Sequence, residues 1–169
     1  MEYTCQYASP LGGILLSADE AGLTGLWFEG QRHFPRAPGA AREEKAIFEQ
    51  AVSWLDLYFS GREPDFTPPL HPTGTEFQLA VWRLLLEIPY GQTTTYGVLA
   101  RRLAEQRGRV SARAVGGAAG RNPIALLVPC HRVVGADGSL TGYAGGLDRK
   151  ARLLALEGVA LGRSRPETE

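Results

Sequence analysis

Leu126-Leu127-Val128-Pro129-Cys130-His131-Arg132-Val133-Val134 is the stretch on which the reading of this chain turns. Its apolar, partly β-branched character predicts a strand that delivers a cysteine to a fixed place, with Pro129 stiffening the approach. A free thiol titrates near roughly 8.5, so little of it is thiolate at neutral pH, and a neighbouring imidazole such as His131 can draw the proton off. Cysteine is also among the most buried residue types, so Cys130 beside His131 admits a packing role as well as a nucleophilic one. The surroundings favour the nucleophile. Val133–Gly138 supplies a Gly-rich turn, Thr141–Leu147 a second loop, and a helix pattern follows from Leu147 to Glu157. The thiol is thus framed by loops whose backbones can approach a flat ligand closely.

Outward from this centre, Glu157 falls in the last turn of that helix, where a carboxylate opposes the macrodipole by some tenths of a kcal/mol. A cationic or hydrogen-bonding partner is therefore expected for it. Upstream, Thr75-Glu76-Phe77-Gln78 has the form of a capping box with Thr75 as N-cap, and Phe77, Val81, Leu84, Leu85 and Ile88 line one face of a helix that ends at Pro89-Tyr90-Gly91. Thr95 offers a cap for a helix over 96–105, and Ser111 one for a helix over 112–119, with a short connector containing Gly108. Two short helices so joined form a helix-turn-helix pattern. The second of them, Ala112-Arg113-Ala114-Val115-Gly116-Gly117-Ala118-Ala119, carries adjacent interior glycines that each cost about 1 kcal/mol relative to Ala. Tight packing against another helix and close approach to an external backbone both account for them.

The N-terminal part reads differently. Residues 2–8, 13–18 and 23–29 have strand character, separated by Ser9-Pro10-Leu11-Gly12 and Asp19-Glu20-Ala21-Gly22, which predicts an antiparallel meander. Residues 30–41 read as loop, 42–60 as a helix stopped by Gly61, and 62–74 as a Pro-rich linker. The expected fold is mixed α/β (α+β). A small N-terminal antiparallel sheet with a helix occupies 1–70, and a mainly helical domain with the helix-turn-helix occupies 71–169.

The chain of 169 residues has a formal net charge of zero. That balance hides an asymmetry, with −6 over residues 1–100 and +6 over 101–169. A basic C-terminal half suits a phosphate-binding face or a merely solvated Arg-rich surface. No run of eighteen apolar residues and no secretory signal is visible, and Cys5 and Cys130 are the two cysteines. The expectation is a cytoplasmic protein with free thiols, no metal site and no membrane contact.

Pro129-Cys130-His131-Arg132-Val133 resembles the signature of the DNA alkyltransferases that repair O6-alkylguanine, the methylated-DNA–protein-cysteine methyltransferases. The resemblance extends over Arg113–Ala118, Asn122-Pro123, Tyr143–Leu147 and Leu153–Gly158, in the same order. It implies that Cys130 accepts the alkyl group, with His131 activating it through a water and Glu157 orienting His131. Asn122 would bridge the DNA-binding helix to the active-site loop, and Tyr96 would turn the nucleotide out and donate to guanine N3. Arg113 would fill the gap in the duplex, while Ala112, Ala114, Gly116 and Gly117 would line the DNA face. Arg132, Val133, Tyr143, Ala144 and Gly145 would contact substrate or DNA, with the Ala144 N–H facing O6 and the Cys130 and Val133 carbonyls accepting from the exocyclic amine. No cofactor is implied. The partner would be double-stranded DNA carrying alkylated guanine, read with little sequence preference by a monomer. Gly120-Arg121 inverts the Arg-Gly order of the family motif, and Ala144 stands where some relatives have Ser.

Three other readings compete. A non-catalytic alkyltransferase-like lesion binder would lack the nucleophile that Cys130 supplies. A helix-turn-helix regulator would leave Pro129–Arg132 idle. A cysteine hydrolase would need Cys130 and His131 on one face, whereas neighbours on a strand point to opposite faces.

Overall fold

The computed structural model describes residues 2–35, 41–42 and 46–160. The chain divides into two compact units, one of residues 1–73 with 123–127 and the other of 74–122 with 128–169.

In the first unit, β1 (Tyr3–Ser9), β2 (Gly12–Ala18) and β3 (Leu23–Phe28) form the expected meander, in register Tyr3↔Ala18 and Ile14↔Phe28. Asp19 accepts from the Ala21 and Gly22 N–H groups at 2.9 and 3.1 Å, which fixes the second turn. Beyond β1 the sheet continues into β4 (Ala41–Arg42), paired parallel to it, so the order is β3-β2-β1-β4. Ala41, expected as the end of a loop, and Arg42, expected as the start of a helix, are therefore strand, while residues 36–40 and 43–45 lie outside the described residues. Helix α1 (Ala46–Phe59) begins later and packs Phe48, Ala51, Leu55 and Tyr58 into the same core as Ile14, Leu16, Leu26 and Phe28.

The outer edge of β3 is closed by chain from elsewhere. Leu23 N–H donates to Pro69 O at 2.8 Å, and Leu23 O accepts from His71 N–H at 2.7 Å. Leu26 likewise donates to Pro123 O at 2.8 Å and accepts from Ala125 N–H at 3.1 Å. Part of the predicted linker is therefore fastened to the sheet, which satisfies an edge that would otherwise be exposed. Gly22 permits the first of these contacts, because a Cβ there would stand 2.7 Å from Pro69 O.

The second unit is helical. Helix α2 (Glu76–Leu85) starts at the Thr75 capping box, both of whose hydrogen bonds form. Trp82 Nε1 donates to Ala118 O at 2.9 Å, binding α2 to the helix that carries Ala118. Helix α3 (Tyr96–Arg107) is capped by Thr95 and α4 (Ala112–Gly120) by Ser111, and α5 (Leu147–Leu156) closes the unit. A short parallel pair, β5 (Thr94–Thr95) with β6 (Val133–Val134), sets the start of α3 beside the chain leaving Cys130.

The long strand expected over 126–134 does not form. Leu127 N–H donates to Ala125 O at 2.8 Å around Leu126, whose φ is +72°. Cys130 N–H donates to Val128 O at 2.8 Å around Pro129. These are consecutive γ-turns, the first of the rarer, strained kind. Cys130–Arg132 is then one turn of 3-10 helix, and only Val133–Val134 is strand. The apolar run reflects burial, and a short apolar run does not by itself distinguish a ladder from a folded-up buried loop.

Thr75→Ala removes the cap of α2 and is expected to lower the unfolding free energy by about 1 kcal/mol. Urea denaturation followed by circular dichroism measures it.

Candidate active site

Cys130 opens the 3-10 turn, half-buried, with its thiol reached by the side chain of Asn122. The Asn122 Nδ2 donates to Cys130 Sγ at 3.3 Å and to Val128 O at 2.8 Å. Asn122 follows directly on α4, and its own N–H donates to Ala119 O at 3.2 Å. One amide thus joins the end of α4 to both sides of the turn that presents the sulfur. Burial pushes the Cys130 thiol up, and the Asn122 hydrogen bond and the Lys150 charge pull it back only in part.

The 3-10 turn sends His131 and Arg132 inward to one carboxylate. His131 Nε2 lies 2.7 Å from Glu157 Oε2. Arg132 Nε donates to Glu157 Oε1 at 2.8 Å and a terminal guanidinium nitrogen to Oε2 at 3.1 Å, a bidentate fork. Gly91 N–H adds a bond to Oε1 at 3.0 Å, and the other end of the fork donates to Ile88 O at 2.7 Å. Gly91 has φ +79°, and a Cβ there would approach Glu157 O to 3.2 Å, so glycine is required.

Burial would raise Glu157, but the His131 and Arg132 bonds and the Gly91 N–H outweigh it and hold the carboxyl down at about 2. Burial lowers His131 further than Glu157 raises it. The imidazole is therefore neutral at pH 7, and its Nε2–H donates to the ionised carboxylate. The remaining basic nitrogen is Nδ1, which fixes the tautomer. The fork also meets the charge of Glu157, so His131 does not need to carry a proton to do so.

The other residues expected to meet substrate stand around this turn with one exception. Tyr96 begins α3, half-buried, and its hydroxyl accepts from Thr141 Oγ1 at 3.3 Å. Burial raises it, more than the Thr141 bond lowers it. Tyr143 stands edge-on to His131 with ring centres 6.5 Å apart, and its buried hydroxyl has no hydrogen-bond partner among the described residues. Burial raises that phenol well above its ordinary value. Ala144 and Gly145 follow in the loop, and Gly145 O accepts from Arg149 at 3.2 Å. Val133 is buried, Cys130 O accepts from the Val133 N–H, and Val133 O accepts from Lys150 Nζ at 2.6 Å. Each carbonyl keeps a second lone pair. Arg132 is the exception, because its guanidinium is spent inside the protein on Glu157 and Ile88.

Along α4, Val115, Ala118 and Ala119 are buried while Ala112, Arg113, Ala114, Gly117 and Gly120 face outward. A Cβ added at Gly117 would meet nothing within 4 Å, and one at Gly116 would meet only the Tyr96 ring at 3.8 Å, an ordinary contact. Internal packing therefore does not require either glycine. Lys150 and Gly91 carry no sequence signal that singles them out. Arg132 could have been paired with Glu157 from the need for a cation near a carboxylate at a helix end.

Comparison with known proteins agrees with this geometry. Residues 76–159 match the model of the 6-O-methylguanine DNA methyltransferase DNA-binding domain, and residues 3–72 that of its ribonuclease-like domain. A methylated-DNA–protein-cysteine methyltransferase of Methanosarcina acetivorans is 47% identical, covering 92% of this chain and 98% of its own. One from Mycobacterium leprae is 50% identical over 88% of each chain. The crystal structure of Mycobacterium tuberculosis OGT in complex with DNA superposes with a TM-score of 0.79 at 42% identity, covering 92% of this chain and 91% of that one. Matched almost end to end by these domains and relatives, this chain belongs to the methylated-DNA–protein-cysteine methyltransferase family.

Proposed function

We propose that this protein repairs DNA by direct reversal, moving the alkyl group of O6-alkylguanine onto Cys130 once per molecule. The observation that carries the reading is the half-buried Cys130 sulfur, 3.3 Å from Asn122, on the turn whose next two residues hold an ionised, buried Glu157.

His131 takes the thiol proton on Nδ1 across one bridging water, with Nε2–H anchored on Glu157. The thiolate attacks the O6-alkyl carbon as the C–O6 bond breaks, and the electron pair passes into the purine. The proton lost by the thiol balances the one the guanine gains. Tyr96, donating to N3, and the Ala144 N–H, facing O6, stabilise charge as it develops on the base. The product is a thioether, which offers water no polarised carbonyl, so the cysteine is not regenerated.

The sulfur cannot line up behind that carbon inside a duplex, so the nucleotide leaves the stack. Helix α4 docks in the minor groove with its Ala112, Ala114, Gly116 and Gly117 face, and Arg113 fills the vacated space. The partner is double-stranded DNA bearing alkylated guanine, bound by a monomer in the cytoplasm with little regard to sequence. Affinity rests on phosphate contacts from the basic half and falls with salt.

Incubation with O6-methylguanine DNA is expected to add one methyl group per chain, on the Cys130 peptide, with no turnover after the first equivalent. Intact-protein and peptide mass spectrometry measure it, and Cys130→Ala is expected to gain nothing. Gly117→Leu is expected to leave the fold at least as stable, since leucine is the better helix former by about 1 kcal/mol. It should nonetheless weaken DNA binding tenfold or more in a fluorescence-anisotropy titration, because its side chain projects outward. The transfer rate is expected to be flat near neutrality and to fall in acid as His131 gains its proton, below the ordinary 6.5. Glu157 has its folded value below its unfolded one, so its stabilisation is full above 4.5 and is lost as pH falls toward about 2. That loss is worth roughly 3 kcal/mol. In urea denaturation, the deficit of Glu157→Gln against the parent should accordingly be large at neutral pH and shrink through this window.

A further inference from the structure

Lys150 takes no part in the chemistry above, yet it is 0% exposed. Its Nζ donates to Val133 O at 2.6 Å and to Thr141 O at 3.0 Å. Both bonds go to main-chain carbonyls, an expensive way to keep a cation inside a protein. What the two bonds accomplish is mechanical. They fasten the 135–146 loop to β6 from a fixed point on α5. Thr141, held in this way by its carbonyl, turns its hydroxyl to Tyr96 and donates to the phenol oxygen at 3.3 Å. A hydroxyl–hydroxyl bond of that length is loose, as such contacts commonly are before substrate binds. With its oxygen accepting from Thr141, the phenol has its own proton free to point elsewhere.

We propose that Thr141, anchored by Lys150, is a positioning residue that orients the Tyr96 O–H toward the extruded base. This rests on the role given to Tyr96 above. Valine at 141 would keep the shape and lose the hydroxyl, while serine would keep the hydroxyl. Neither Thr141 nor Lys150 would touch the reacting atoms. Lys150 also holds Val133 O, so it would have a second effect independent of Tyr96.

The test is a double-mutant cycle in single-turnover alkyl transfer from O6-methylguanine DNA at saturating protein, with DNA affinity and thermal unfolding measured alongside. One hydrogen bond is worth about 0.5–1.5 kcal/mol, so Thr141→Val should slow transfer roughly three- to tenfold with DNA affinity unchanged. Thr141→Ser should restore most of the rate. In the Tyr96→Phe background, Thr141→Val should produce no further loss. Lys150→Met should slow the parent and still slow Tyr96→Phe, because it also releases Val133 O. If the Thr141→Val and Tyr96→Phe losses multiply independently, or Thr141→Ser fails to rescue, the relay is wrong. If Lys150→Met folds and reacts at the parent rate, its anchoring role is wrong. A Tyr96→Phe protein as fast as the parent would instead overturn the role of Tyr96 itself. A slow Tyr96→Phe with a fast Thr141→Val would overturn only the relay.

Discussion

The carboxylate of Glu157 is the group on which the site depends. It is buried at the C-terminal end of α5, where the helix dipole disfavours it. Desolvating such a charge costs several kcal/mol unless geometry is good and its lone pairs are filled. Here the Arg132 fork, the His131 N–H and the Gly91 N–H fill them. Those bonds join three pieces of chain that are far apart in sequence: α5, the turn bearing the nucleophile, and the bend after α2. The fork then continues to Ile88 O, so the bend is held from both ends. A buried ion pair is weak evidence of stability in itself. Its use here is to fix where the residues beside Cys130 point.

That arrangement sorts the two neighbours of the cysteine into different tasks. Arg132 answers the charge of Glu157, which lets His131 remain neutral, the state its proposed role as a base requires. If the histidine alone had to balance the carboxylate, it would hold its proton and could not accept another. The thiol is treated conversely. Burial keeps it protonated, with Asn122 and Lys150 only partly compensating. A thiol with little thiolate reacts slowly with stray electrophiles. This suits a sulfur that is consumed the first time it reacts.

The parts of this molecule that are legible in its sequence are those governed by local rules. The three-strand meander, the Thr75, Thr95 and Ser111 caps and the helices they start all follow from periodicity and capping chemistry, and their ends fall within a few residues of expectation. The parts that are not legible depend on distant partners. Ala41–Arg42 carries no strand signal, and it pairs only because β1 offers an edge. The run from Leu126 to Val134 has strand composition, yet the residues just before it bond to β3, its first half folds into γ-turns and Cys130–Arg132 into a 3-10 turn. Arg132 is expected to contact substrate or DNA only through the family resemblance, which says nothing of where its guanidinium goes. It points inward because Glu157, twenty-five positions on, needs it. A buried lysine such as Lys150 is legible only once its two carbonyl partners have been brought together by the fold.

Helix α4 shows how the fold bears the cost of exposed glycines. Its adjacent glycines weaken it by about 2 kcal/mol relative to alanine, a large fraction for nine residues. The helix forms because its inner side is well provided. Ser111 caps it, Val115, Ala118 and Ala119 are buried, and Trp82 bonds the Ala118 carbonyl. None of those interactions needs glycine at 117, where a side chain would meet only open space. The residue identity is therefore not explained from within the protein. The proposed function explains it by what comes close from outside, since a flat strip of alanine and glycine flanked by an exposed arginine admits a narrow, negatively charged surface. The same helix leads through Asn122 to the sulfur, so the surface proposed to meet the duplex and the sulfur proposed to attack the base are linked by a single side chain.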